Sequence, residues 1–146
     1  MSSRERLLAA LDEDLQRDQA DYQRLLDLTE ALHAHLLQRD AQQIERLNQD
    51  ISSLSAAAAH RAARRSRILA AFSLHADADG MQRLFAGCPP AQRQRLSAGW
   101  EALGHLAQAC QRQNERNGRL LAMQHDILNQ LLGQSAQSSL YSPQYY

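Results

Sequence analysis

Leu8, Leu11, Leu15, Tyr22, Leu25, Thr29, Leu32 and Leu36 recur in steps of three and four residues, with one break at Asp18. Steps that alternate in this way return to the same side of an α-helix, so the segment from about Ser3 to Arg39 predicts one long amphipathic helix. Ser2 or Ser3 is placed to cap its start. Helix formers dominate the chain, Val is absent and only four Ile occur, which leaves little from which to build strands. The expected fold class is all-α: a long antiparallel helical hairpin packed with a third long helix, followed by a flexible C-terminal tail. The expected division is a helical bundle over residues 1–133 and a tail over 134–146.

The first turn is weakly signalled, because Gln38-Arg39-Asp40-Ala41 contains neither Gly nor Pro. Asp40 is the expected N-cap of a second helix, from Ala41 to about His75. Its seam is Ile44, Leu47, Ile51, Leu54, Ala58, Arg65, Ile68 and Phe72. A hairpin turning near Asp40 brings residue i close to residue 80 − i. Tyr22 then faces Ala58, a large side chain against a small one. The basic run Arg61, Arg64, Arg65 and Arg67 comes level with Glu13, Asp14, Asp18 and Asp21.

His75 to Pro90 reads as a connection with a short helical turn over Met81 to Phe85. Pro90 suits the first turn of a third helix, expected to run to about Leu132 with Gly133 as its C-cap. Trp100, Leu103, Ala107, Cys110, Asn114, Asn117, Leu121, Gln124, Leu128 and Leu131 form its seam. Two hairpin arms of roughly 35 residues span about 50 Å, whereas a helix of about 43 residues spans about 65 Å. The third helix therefore reaches the hairpin tip near His125 or Asp126 and leaves Ile127, Leu128, Leu131 and Leu132 without an internal partner. Uncovered apolar patches of this kind mark interaction sites.

Other function classes find little support. Sixteen basic residues balance sixteen acidic ones, so the chain lacks the cationic surplus of a dedicated nucleic-acid binder. The six histidines include no pair at i, i+4, and Cys88 and Cys110 form no metal-binding or redox spacing. Asp12-Glu13-Asp14 reads as charge near a helix start rather than as a catalytic dyad. No phosphate-cradling loop or nucleophile motif is found, and no metal or cofactor is expected. The opening residues lack the apolar run of a signal peptide, and no segment approaches the ~20 apolar residues of a membrane span. A cytoplasmic, non-enzymatic protein without stable membrane insertion is the expectation.

Asn114 and Asn117 are polar residues on an apolar seam, followed by Gly118 in mid-helix. Structurally, seam amides fix helix register and the glycine permits a close backbone approach. Functionally, the amides bind a partner's backbone. Trp100 divides in the same way between core residue and binding hot spot. Tyr141, Tyr145 and Tyr146 lie in the polar tail, where they are either anchors for docking or leftovers.

Trp100, then Asn114-Glu115-Arg116-Asn117-Gly118-Arg119-Leu120-Leu121, then the tail pair Leu140-Tyr141 together resemble the FlgN family of bacterial flagellar export chaperones. The resemblance implies a cytosolic helical chaperone that binds the C-terminal helical regions of hook-associated proteins, those of the hook-filament junction. It implies that the chaperone prevents their premature assembly and delivers them to the flagellar type III export gate, with the export ATPase as a further partner. Carried onto this chain, client binding falls on Asn114, Asn117, Gly118 and Leu121 and on the apolar positions Ile127, Leu128, Leu131 and Leu132. Export-gate docking falls on Tyr141. The alternative is a structural coiled-coil protein without a client, and the same seams would also serve a homodimer.

Overall fold

The computed structural model describes residues 2–139, with side chains described as far as Gly133. They form four helices and, among the described residues, no strand: α1 (Ser3–Gln38), α2 (Ala41–Ala71), α3 (Ala78–Ala86) and α4 (Pro90–Ser139). Ser2 caps α1 by accepting the Glu5 N–H at 3.1 Å. At the far end Arg39 turns into the left-handed region (φ 55°). Its N–H donates to the Leu36 carbonyl and that of Asp40 to the His35 carbonyl. This is the paired closure of a Schellman motif, with arginine where glycine is usual. Asp40 then caps α2 by accepting the Gln43 N–H, so the turn falls where the sequence places it.

α2 stops at Ala71, four residues short of the expected His75. The same closure operates: Ser73 is left-handed (φ 59°), its N–H donates to Ala70, and the Leu74 N–H reaches back to Leu69. The connection is more ordered than one turn. Asp77 accepts the Gly80 N–H at 2.7 Å and starts the nine residues of α3. A Cβ on Gly80 would collide with the His75 carbonyl oxygen, so only glycine fits there. Helix α3 buries Met81, Leu84 and Phe85 almost completely. With Leu8, Leu11, Leu15, Ile68, Leu69, Leu96 and Leu103 they form the apolar core. That core fills the end of the bundle opposite the α1–α2 turn, here called the base.

α1 is the central helix. It packs against α2 on one side and α4 on the other, while the backbones of α2 and α4 stay apart. The ion pairs across the hairpin lie within three positions of the 80 − i expectation. Arg61 bonds Asp18 and Asp21, and Arg64 grips Asp14 through two bonds of 2.6 and 2.7 Å. Asp18, the break in the seam of α1, is 2% exposed. It belongs to the interior because Arg61 and Arg65 meet it there. Burial opposes the charge on Arg61, but hydrogen bonds to the two aspartates outweigh it and hold the guanidinium above its ordinary value.

α4 runs parallel to α1 in a fixed register. Cys110 Sγ donates to the Tyr22 carbonyl, Asn117 Nδ2 to that of Thr29 and Gln124 Nε2 to that of Leu36, each across 88 positions. These donors are seven residues apart and form a ladder up one side of α1. The helix does not end at Gly133. It continues to Ser139, and no glycine takes a positive φ there or elsewhere in the described chain.

Candidate protein-binding face

Two rows at heptad spacing run along α4. Leu96, Leu103, Cys110, Asn117 and Gln124 lie toward α1, and the first four are buried. Trp100, Ala107, Asn114, Leu121 and Leu128 make the second row, turned toward the gap between α4 and α2. At the base this gap is bridged, since the Arg65 guanidinium lies 5.0 Å from the centre of the Trp100 ring. Above the bridge it opens into a groove of about 540 Å³. Tyr22, Leu25 and Thr29 of α1 form the floor, Ser55, Ala58, Ala59 and Ala62 of α2 one wall, and Ala107, Gln111 and Asn114 of α4 the other. Towards the tip, Leu121 and Leu128 line a shallower hollow beside Arg39.

Gln124 makes the last side-chain bond from α4 to α1. At the same offset the turn at Arg39 is level with position 127, slightly later than the expected His125 or Asp126. The rest of α4, through Ser139, projects beyond the hairpin by about 17 Å at 1.5 Å per residue. Leu121 is 50% exposed, Ile127 43%, Leu128 51% and Leu131 58%, with Met123 at 57% beside them. Leu132 is half-buried.

Asn114 and Asn117 part company. Asn117 is 4% exposed and satisfied at both ends, donating to the Thr29 carbonyl and accepting from His33 Nδ1 at 2.9 Å. That contact requires the imidazole proton on Nδ1. Asn117 thus fixes the register of α4 on α1, while Asn114 is exposed on the groove wall. At Gly118 a Cβ would meet nothing within 4 Å, so the close approach expected from a helix of this chain is not found. Tyr141 lies outside the described residues, as do Tyr145 and Tyr146. Sequence reasoning missed the ladder, although Cys110, Asn117 and Gln124 stand seven apart as polar or thiol-bearing residues on an apolar seam.

Reactive chemistry is poorly served. Burial pushes both thiols up, and each donates to a backbone carbonyl, Cys88 to Leu84 and Cys110 to Tyr22. Thiols so held are weak nucleophiles. The acidic run is dispersed over separate partners: Asp12 pairs with Arg95, Glu13 with Arg17 and Asp14 with Arg64. Among the described residues no group of three or more His, Cys, Asp or Glu side chains converges on a metal-sized space, and no helix is long and apolar enough to cross a membrane.

A helical frame closed at one end, with an open groove and a projecting apolar helix at the other, defines a protein-binding module. The family model described as FlgN protein matches residues 1–144. The chain belongs to the FlgN family, and a flagellar export chaperone role follows in general terms. No curated protein and no solved structure gave a significant match.

Proposed function

We propose that this chaperone acts in the cytoplasm on hook-associated proteins of the hook-filament junction, binding their C-terminal helical regions through the second row of α4 and its projecting end. The observation that carries the reading is the half-exposure of Leu121, Ile127, Leu128 and Leu131 on a helix that outruns its own hairpin. Self-assembling clients present amphipathic helices, and an apolar helix face offers them a temporary partner in the helix-in-groove mode. Burial of each half-exposed apolar side chain contributes about 1 kcal/mol, a part of the binding energy small enough to leave release easy. Delivery to the export gate is assigned to Tyr141 by the family resemblance. Asn114, Gly118 and Leu132 border the same face, while Asn117 supports it from behind.

Leu128→Asp combined with Leu131→Asp tests the site. Calorimetric titration with the C-terminal helical fragment of a hook-filament junction protein should show binding abolished, with helical content and melting temperature unchanged. Wild-type affinity in the double variant would remove the assignment.

A further inference from the structure

The α2–α4 groove has no counterpart in the chain's own packing. α1 packs against both helices while their backbones stand apart, so among the described residues three long helices occupy three corners of a four-helix arrangement and leave the corner diagonal to α1 open. We propose that a client helix fills this corner, lying between α2 and α4 from the Arg65–Trp100 bridge outwards and continuing along the second row to the exposed leucines. The proposal rests on the chaperone reading above and specifies the occupant: an amphipathic helix with bulky apolar side chains on the face turned into the groove.

Three observations select that occupant. Both walls are α-helices whose backbone groups are already paired, so an extended segment would leave its own N–H and C=O groups unmet, whereas a helix brings its bonds with it. The α2 wall is built mainly from small residues, Ser55, Ala58, Ala59 and Ala62, with Ala107 opposite, which suits large side chains arriving from the partner. Gly118, on the open side of α4, has no neighbour within 4 Å of a Cβ position. Glycine within a helix weakens it, and no contact among the described residues needs it; an incoming helix at close range does.

Size points the same way. The exposed leucines alone offer an apolar patch on the order of a few hundred Å², below the ~800 Å² per partner that stable complexes bury. From Ala107 to Leu128 the track is about 32 Å long at 1.5 Å per residue, room for a helix of roughly 20 residues.

The test uses the full chain and the same client fragment. Ala59→Trp and Gly118→Leu place bulk on opposite walls at exposed positions. Each should lower client affinity tenfold or more while circular dichroism and melting match the wild type. Gly118→Ala should raise the melting temperature and yet weaken binding, a combination that a purely internal role does not produce. Wild-type affinity in Ala59→Trp and Gly118→Leu, with binding lost in Leu128→Asp/Leu131→Asp, would overturn the groove and leave the chaperone reading standing. Wild-type affinity in all of these variants would sink both. A wild-type dimer in sedimentation that Gly118→Leu dissociates without changing client affinity would give the groove to a second copy and overturn the proposal.

Discussion

The two ends of the bundle are built on opposite rules. At the base, Leu11, Leu15, Met81, Phe85 and Leu96 are at most 2% exposed, and four helices meet around them. Towards the tip, α1 meets α4 through Thr29, Asn117, His33 and Gln124, and α2 through half-buried Ile44, Leu47, Ile51 and Leu54. The base obtains most of its stability from apolar packing, with the buried Asp14–Arg64 and Asp18–Arg61 pairs holding α1 against α2 beside it. The tip uses hydrogen bonds that contribute less but allow only one alignment. An open face can be held in shape only if something behind it prevents sliding, and the polar ladder supplies that constraint.

This contrast can be broken experimentally. Phe85→Ala should give the largest effect, a loss of about 3–5 kcal/mol in urea unfolding, with client affinity retained under conditions where the variant stays folded. A small loss would mean that the base does not dominate stability. Asn117→Ala should cost about 1–3 kcal/mol, since it leaves the His33 donor and a buried site without their partner. It should also broaden the cross-peaks of α4 in NMR spectra if register is its role, and sharp wild-type-like spectra would count against that. The smallest change is a gain: Gly104→Ala should stabilise the free protein by up to about 1 kcal/mol in thermal melts, because its side chain meets open space.

Most of the frame was legible in the sequence because the seams are long and regular. The turn at Asp40, the start of α4 at Pro90 and the Asp–Arg pairing across the hairpin all follow from residue spacing and charge. Helix ends were less legible where closure does not use glycine. Arg39 and Ser73 take the left-handed conformation at a cost of about 1–2 kcal/mol each, offset by two carbonyl bonds and by neighbouring packing, and neither residue advertises it. In α3 the pattern Asp77-Ala78-Asp79-Gly80 suggested a turn, whereas Asp77 is a cap and Gly80 already helical. At the binding face the exposed leucines followed from helix lengths alone. The separate fates of Asn114 and Asn117 did not, because a seam pattern shows that two rows exist but not which one the chain itself covers.

The offset of 88 positions between α1 and α4 also sets an order of assembly. Contacts between α1 and α2 close a short loop and form as soon as about seventy residues have left the ribosome, whereas every rung of the ladder waits for residues beyond position 109. Loop-closure entropy makes such distant pairing late and slow. The hairpin is therefore expected to form first, with one flank of α1 bare until α4 docks. The helix proposed to meet the client is thus expected to be the last to join the fold, and its tip-side rungs the first to open again.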